Sequence, residues 1–266
     1  MYIIDYHTHT SFSSDSDAPM EEMIKSAIAK GCDEIALTDH VDFDERYDFT
    51  DYNAYMPVIN ELAYKYKNEI KVTFGVEIGL ESEWADKINK ITEDFPFDFI
   101  IGSSHAVCTK DVYFDQKEFF EGKTKQEAYN IYWDEMLKNI HICKDFCVYG
   151  HLDFISRYGM YEDNSLKYAD YADKIDAVLK ALIERGKGIE INTSGFRYGI
   201  NAAYPSLDIL KRYKALGGEV VTIGSDAHFT KDVTDHSGYA YDMLFETGFK
   251  YITVFRERKP QFIKLY

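Results

Sequence analysis

Histidines and carboxylates recur at the ends of short apolar segments in this sequence. Residues 2–6 form one such segment, and His7 and His9 follow it directly. Residues two apart on an extended backbone point to the same side, so the two imidazole rings can reach one point. Neutral imidazole is a common metal ligand. Two solvated histidines would explain an isolated His-x-His equally well, so the interpretation depends on whether the pattern recurs.

The pattern recurs along the chain. Six of the eight histidines follow apolar segments that are predicted to be strands: His7, His9, His40, His105, His151 and His228. Glu77 closes a third segment and Asp226 follows a seventh. Random placement of eight histidines in 266 residues would put far fewer at these points. Imidazoles and carboxylates without thiolates suit Zn, Mn or Fe and permit a multinuclear site.

The loop at residues 11–17 supplies further oxygen donors. Asp15 and Asp17 both lie in it, shortly before a segment with helical spacing of apolar residues. Aspartate is a favoured N-cap residue, and Asp17 is placed to cap that helix. Asp15 is therefore the better candidate for a metal ligand.

Strands and helices alternate along the chain. Predicted strands lie at residues 2–6, 34–38, 71–77, 97–102, 147–150, 188–192 and 219–224, with a weaker eighth at 251–255. Amphipathic helical patterns separate them, which predicts parallel strands with helical crossovers. Seven or eight such units favour a closed barrel over an open sheet. Because functional groups collect at the carboxyl ends of parallel strands, we expect the histidines to meet at one end of the barrel.

Composition indicates one globular domain over residues 1–266. The chain is 45% hydrophobic and carries a formal charge of −16, so it has no basic surplus for nucleic acid or for an anionic membrane. Its four cysteines lack zinc-site spacing and suit a reducing compartment. We find no leader pattern and no apolar run of transmembrane length. The sequence predicts a cytoplasmic protein.

The combined motifs resemble the PHP (polymerase and histidinol phosphatase) family. The matching segments, in order, are His7-Thr8-His9, Thr38-Asp39-His40, Glu77, Ser103-Ser104-His105, Gly150-His151 and Gly224-Ser225-Asp226-Ala227-His228. The resemblance as a whole spans residues 2 to about 251, and residues 190–197 resemble the sixth-strand segment of the stand-alone histidinol-phosphate phosphatases of that family. The resemblance implies a single-domain α/β fold, a distorted (β/α)7 barrel, with three divalent metal ions (Zn, Mn or Fe).

The resemblance also implies how the ligands are shared. One ion would be held by His7, His9, Glu77 and Asp226, and a second by bridging Glu77 with His105 and His151. The third would be held by Asp15, His40 and His228. Some members of the family carry histidine where this chain has Asp15, so the third site is more acidic here.

The implied reaction is the metal-dependent hydrolysis of L-histidinol phosphate in histidine biosynthesis, by attack of a metal-activated hydroxide on phosphorus. Asp226 would also move a proton, and Arg197 would clamp the phosphate bidentately, with Arg157 as a weaker candidate. Asp17 and Ser104 are further predicted substrate contacts. The substrate ammonium could pair with an acidic residue of the strand-end loops, namely Asp17, Asp42, Asp44, Glu81 or Asp153.

Two alternatives remain at this point. The same site could act on another phosphate ester, such as a nucleotide, a sugar phosphate or a phosphotyrosine. The chain could instead be a metal-binding regulatory or structural domain without turnover. That second alternative is disfavoured because every expected ligand position is filled.

Overall fold

The computed structural model describes residues 1–47 and 49–266. The strands are β1 (Ile4–Asp5), β2 (Glu34–Leu37), β3 (His40–Val41), β4 (Lys71–Gly79), β5 (Phe99–Ser103), β6 (Ala106–Val107), β7 (Lys110–Asp111), β8 (Val148–Tyr149), β9 (Gly188–Asn192), β10 (Val221–Gly224), β11 (Tyr251–Arg256) and β12 (Lys259–Lys264). The α-helices are α1 (Met20–Ala29), α2 (Tyr52–Lys65), α3 (Ala85–Asp94), α4 (Gln116–Phe120), α5 (Lys125–Ile142), α6 (Ile155–Tyr158), α7 (Ala172–Glu184), α8 (Leu207–Ala215) and α9 (Ser237–Thr247).

Seven parallel strands form the wall of a nearly closed barrel. Their order is β1, β2, β4, β5, β8, β9, β10, and each is hydrogen-bonded to the next. β10 returns to β1, where the backbone N–H of Tyr6 donates to the carbonyl of Ile223 at 2.8 Å and Thr8 bridges Ala227. The short strand β3 pairs with β4 beyond the end of β2. The predicted distorted (β/α)7 barrel is confirmed.

The strands are apolar because both of their faces are covered. Ile35, Ala36 and Leu37 of β2 are all fully buried, as are Phe99 to Ile101 of β5. Such continuous apolar runs are typical of parallel strands that lie between a packed interior and surrounding helices. A polar side chain buried within these strands therefore needs a partner.

Helix α1 shows how the outer layer packs. Met20, Met23, Ile24 and Ala27 are its buried residues. The helix begins after Pro19, which occupies the N-cap position with φ −59° and provides no side-chain cap. The prediction that Asp17 caps this helix was wrong, because Pro19 sets the start of the helix two residues later.

The weak eighth segment is a strand, but it lies outside the barrel wall. β11 pairs antiparallel with β12, and this hairpin covers the amino-terminal end of the barrel. There the guanidinium of Arg256 donates to Glu34, with Nη2 to Oε2 at 2.6 Å. Glu34 is fully buried and also accepts from the hydroxyl of Thr73 at 2.6 Å. This ion pair, between the buried Glu34 and the half-buried Arg256, fixes the hairpin at the end of the barrel opposite to the histidines.

Two further findings concern the rest of the described chain. No helix within it is both long and apolar enough to cross a membrane. All four cysteines are free, and three of them, Cys32, Cys143 and Cys147, are buried. None of the four belongs to a group of donor atoms that could hold a metal ion among the described residues.

Candidate metal centre and active site

The nine predicted metal ligands come together at the carboxyl end of the barrel. Each is placed there by a strand end or by the loop that follows it: His7 and His9 after β1, Asp15 before α1, His40 in β3, Glu77 in β4, His105 after β5, His151 after β8, and Asp226 and His228 after β10. Eight of them form four overlapping groups, and within each group the donor atoms lie within 4.8 Å of one another. The ninth, Asp15, is connected to these groups through His40 and His228. The barrel therefore converts a pattern spread over more than two hundred residues into one cluster.

Glu77 lies at the middle of this cluster. Its Oε2 atom is 3.0 Å from Nε2 of His7 and 3.1 Å from Nδ1 of His40. Its Oε1 atom is 3.0 Å from Nε2 of His151 and 3.2 Å from Nε2 of His105. A carboxylate that presents each oxygen to two imidazoles is suited to bridge two cations.

Asp15 and two histidines form the outer part of the cluster. Oδ2 of Asp15 lies 2.9 Å from Nε2 of His228 and 3.3 Å from Nε2 of His40. The ring of His9 lies beside the rings of His40 and His228, with its centroid 4.2 Å from each of theirs. Its Nε2 atom is 3.4 Å from Oδ1 of Asp226. His9 thus links the outer ligands to the inner ones, and the donor atoms form one continuous cluster.

Burial and the neighbouring carboxylates have opposite effects on the pKa values of His7 and His40. Burial alone would lower the pKa of His7, but Glu190, Glu77 and Asp226 raise it well above its ordinary value. Burial likewise opposes the raised pKa of His40, about 9, which Asp15 and Glu77 produce. The same carboxylates that attract protons to these imidazoles would attract divalent cations.

His9 differs from its neighbours. Burial and the adjacent imidazoles of His40 and His228 lower its pKa to about 3. Its ring is therefore neutral near neutral pH, as a metal ligand must be.

Unpaired nitrogen atoms show that the cluster fits metal ions. In the described chain, Nε2 of His7, both ring nitrogens of His9 and Nδ1 of His40 are buried and make no aligned hydrogen bond. A buried polar atom without a partner costs about 1–3 kcal/mol, unless another group satisfies it. Several such atoms facing one centre, with carboxylates and no thiols, are the donor set of Zn, Mn or Fe.

Two carboxylates outside the predicted ligand set contact the histidines from behind. Nδ1 of His7 lies 2.6 Å from Oε1 of Glu190, and Nδ1 of His105 lies 2.8 Å from Oδ1 of Asp42. Sequence reasoning gave Glu190 no role and considered Asp42 only as a partner for the substrate ammonium. For Glu190, the available signal was a glutamate between two isoleucines in strand β9.

Asp226 lies in a strained turn that Arg197 supports. Asp226 has a φ of +56°, in the left-handed region that few residues with a side chain adopt. Nη2 of Arg197 donates to the carbonyls of Ser225 at 2.6 Å and of Asp226 at 2.8 Å. Arg197 is not among the described residues that line the cavity. Its guanidinium thus holds the turn behind Asp226, which is a different position from the predicted phosphate clamp.

Of Arg157, Asp17 and Ser104, the other predicted substrate contacts besides the acidic candidates for the ammonium, Arg157 alone lines the cavity. Its guanidinium carbon lies 2.9 Å from the ring centroid of Tyr198. Asp17 is exposed and lies outside the cavity wall. The hydroxyl of Ser104 is buried and pairs with the hydroxyl of Tyr149 at 2.5 Å, so it also points away from the cavity.

The cavity in front of the cluster measures about 630 Å³. Beside the metal ligands, it is lined by aromatic side chains and by two arginines: Tyr47, Tyr113, Phe114, Phe154, Tyr158, Tyr198, Phe229, Arg46 and Arg157. A smaller hollow of about 210 Å³ shares Asp42, Tyr47, His105 and Asp111 with it, and adds Glu81 and Glu83. Burial and neighbouring carboxylates raise the pKa of Glu81 to about 7. One side of the site is thus suited to an anion and the adjoining hollow to a cation.

Comparisons with known proteins identify the family of this chain. Residues 5–194 match the PHP domain family. The chain is 34% identical to the histidinol-phosphatase of Lactococcus lactis subsp. lactis over 96% of this chain and 95% of that protein. It is 24% identical to the histidinol-phosphatase of Bacillus subtilis over 91% of this chain and 98% of that protein.

A solved structure has the same fold. The crystal structure of the Lactococcus lactis histidinol phosphate phosphatase, in complex with zinc, L-histidinol and phosphate, superimposes with a TM-score of 0.90 at 33% identity, covering 97% of this chain and 98% of that one. The family match covers most of the barrel, and this structural match extends over nearly the whole chain. The chain therefore belongs to the PHP family.

Proposed function

We propose that this protein is a metal-dependent phosphomonoesterase that hydrolyses L-histidinol phosphate to L-histidinol and phosphate. The observation that carries this proposal is the juxtaposition of nine metal-ligand side chains with a cavity that offers an anion side, aromatic walls and an acidic hollow. L-Histidinol phosphate has a phosphate for the anion side, an imidazole for the aromatic walls and an ammonium for the acidic hollow. The related Lactococcus lactis enzyme was solved with zinc, L-histidinol and phosphate.

The cluster would hold three divalent ions (Zn, Mn or Fe) through the nine side chains. When bound, such ions stabilise the charge of a phosphoryl group and promote the deprotonation of water near neutral pH. The chain itself supplies three negative charges, from Asp15, Glu77 and Asp226, and burial of Glu77 and Asp226 keeps bulk water away from them. The centre therefore has a positive surplus when it is loaded, within a chain of formal charge −16.

Arg157 is the phosphate-binding residue in this proposal. Within the described part of the chain Arg157 forms no ion pair, and its guanidinium lies in the cavity wall over aromatic rings, so its charge is available to a ligand. The ring of Tyr198 lies against its guanidinium. Guanidinium binds phosphate bidentately, in a geometry that lysine cannot reproduce. Arg46 also lines the cavity, but it already donates to Asp115 through two nitrogens at 2.8 Å.

Asp226 is the proton-transfer residue in this proposal. It lines the cavity, and its backbone N–H donates to the carbonyl of His7 at 2.8 Å. This bond and those from Arg197 hold the carboxylate toward the space where phosphate would lie. In that position it can take a proton from the attacking water and return it to the leaving alkoxide.

The acidic hollow would receive the cationic part of the substrate. Glu81 and Glu83 lie in this hollow beyond Asp42, and Phe43 and Trp84 form an aromatic side of it. The ring of Trp84 already attracts an ammonium, since Nζ of Lys87 lies 3.9 Å from a ring centroid. This chemistry distinguishes histidinol phosphate from nucleotides and sugar phosphates, which carry no ammonium at the corresponding end.

The test is kcat/KM for L-histidinol phosphate beside p-nitrophenyl phosphate, a sugar phosphate and a nucleotide, with enzyme of known metal content. A large preference for L-histidinol phosphate, lost in Glu81→Gln while p-nitrophenyl phosphate hydrolysis is retained, would support the assignment. Comparable slow rates across the panel would point to another phosphate ester. No turnover by metal-loaded protein would favour a regulatory or structural role.

The cellular setting is part of the same proposal. Four free cysteines suit a reducing compartment, and we propose the cytoplasm. We propose a small-molecule phosphate ester as the only partner of the site, without nucleic acid, because the chain lacks the basic surplus that a phosphate backbone requires.

A further inference from the structure

We propose that Glu190 is a positioning residue that fixes His7 as a metal ligand and thereby sets the affinity of the innermost part of the metal centre. This inference rests on the proposal that the cluster holds divalent ions. It does not depend on the substrate, and its test requires none. A failure of the histidinol phosphate assignment would therefore leave it unaffected.

Glu190 connects three strands at the inner end of the cluster. It is fully buried in β9. Oε1 lies 2.6 Å from Nδ1 of His7, which follows β1. Oε2 accepts from the backbone N–H of His151 at 3.0 Å, after β8, and from the side-chain amide of Asn192 at 3.1 Å. Both carboxylate oxygens are thus occupied by groups of the chain, so Glu190 is not itself one of the candidate ligands.

The fold leaves space for this carboxylate at a particular point. A Cβ atom added to Gly224 would lie 2.2 Å from Oε1 of Glu190 and 2.3 Å from Cβ of His7. Both separations are too short for any side chain, so a glycine at the end of β10 is needed for the close approach of Glu190 and His7. The glutamate and the glycine belong to neighbouring strands that pair with each other, with Thr222 opposite Glu190.

The contact determines which nitrogen of His7 faces the centre. In the neutral ring that a metal ion requires, Nδ1 donates to Glu190 and Nε2 carries the lone pair; Nε2 is the atom that lies 3.0 Å from Glu77 without an aligned hydrogen bond. A carboxylate behind a histidine fixes the tautomer and makes the imidazole a stronger donor to a cation. Loss of such a partner typically weakens metal affinity about 10–100-fold.

The test compares zinc binding by the wild-type protein and by Glu190→Gln, with no substrate present. Zinc affinity is measured by competition with a chelator, and bound zinc is counted by mass spectrometry after dialysis against buffered free zinc. We expect the tightest binding step to weaken about 10–100-fold. The absorption spectrum of the cobalt-substituted protein should also change, because the field of one imidazole ligand changes.

Glu34→Gln is the matched control. Glu34 is also a fully buried glutamate of the barrel, but it lies at the opposite end and contacts Arg256 rather than a histidine. It should lower the thermal stability of the metal-free protein and leave zinc affinity and the cobalt spectrum unchanged. Equal effects of both substitutions on zinc affinity would overturn the proposal, because the effect would then follow from general loss of stability.

Glu190→Asp provides a second variant. It keeps the negative charge but shortens the side chain by one methylene, which moves the carboxylate away from His7, and it should therefore weaken zinc binding. It keeps the proposal testable if Glu190→Gln does not fold. Wild-type zinc affinity in either folded variant would overturn the proposal.

Discussion

Replacing Arg157 by alanine should lower kcat/KM for L-histidinol phosphate about 100-fold. Two charge-assisted hydrogen bonds to phosphate contribute about 1.5–3 kcal/mol each. We take a total of about 3 kcal/mol, because water replaces part of the lost interaction at this half-buried side chain. Since about 1.4 kcal/mol corresponds to a factor of ten, the expected loss is about two orders of magnitude. Most of it should appear in KM.

Two other arginine variants make this prediction specific. Arg46→Ala should have a smaller effect, because Arg46 already donates to Asp44 and Asp115 and would have to share its charge with phosphate. Arg197→Ala should lower kcat with little change in KM. Its guanidinium contacts the carbonyl of Asp226, so its loss would disturb the orientation of that carboxylate rather than remove a phosphate contact.

The assay is steady-state release of inorganic phosphate, with metal content measured for each variant and inhibition by free phosphate as a second readout. Phosphate inhibition should weaken in Arg157→Ala in parallel with KM. Wild-type KM and phosphate inhibition in Arg157→Ala, together with a large rise in KM for Arg197→Ala, would refute the argument. Arg197 would then be the clamp that sequence alone predicts.

Three further predictions concern the metal centre, the base of the barrel and the acidic hollow. A chelator should abolish phosphatase activity and lower the melting temperature, both restored by added zinc, because bound ligand stabilises the native state; persistence of activity in verified metal-free protein would contradict this. Arg256→Met should destabilise the fold by about 3 kcal/mol, measured by denaturant unfolding, because it leaves Glu34 buried without its cation, whereas zinc affinity should not change. Glu81, whose pKa is raised to about 7 in the folded state, binds its proton more tightly when folded, so stability should fall as pH rises from about 4.5 to 7. Glu81→Gln should reduce that slope in unfolding curves, and an unchanged slope would exclude this residue as its source.

The position of the candidate metal ligands could be predicted from sequence because these residues follow a local rule. In a parallel α/β barrel each strand ends at the same face, so a polar side chain directly after an apolar run must lie there. His7, Glu77 and His151 each follow this rule, and the cluster contains all of them. The barrel itself follows from the alternation of strand and helix patterns, and the family resemblance gave the number of strands.

The start of helix α1 and the pairing of the last strands were harder to predict. The start of α1 is determined by Pro19, and Asp17 satisfies the local rule for a cap without being the cap. The segment at 251–255 has strand composition, but its pairing with β12 and its contact with Glu34 depend on chain that is distant in sequence. Local patterns give the type of an element and leave its partners undetermined.

By itself, the sequence determined the class of fold and the set of candidate metal ligands, because these depend on residue type and on short-range periodicity. The type of chemistry came from the resemblance of its motifs to the PHP family. Only the tertiary structure decided which charged side chains face the cavity. It placed Arg157 in the cavity wall, Arg197 behind Asp226 and Glu190 behind His7. These assignments depend on the direction of long side chains across neighbouring strands. Such directions follow from packing and hydrogen bonding between distant segments, which no local pattern of residues specifies.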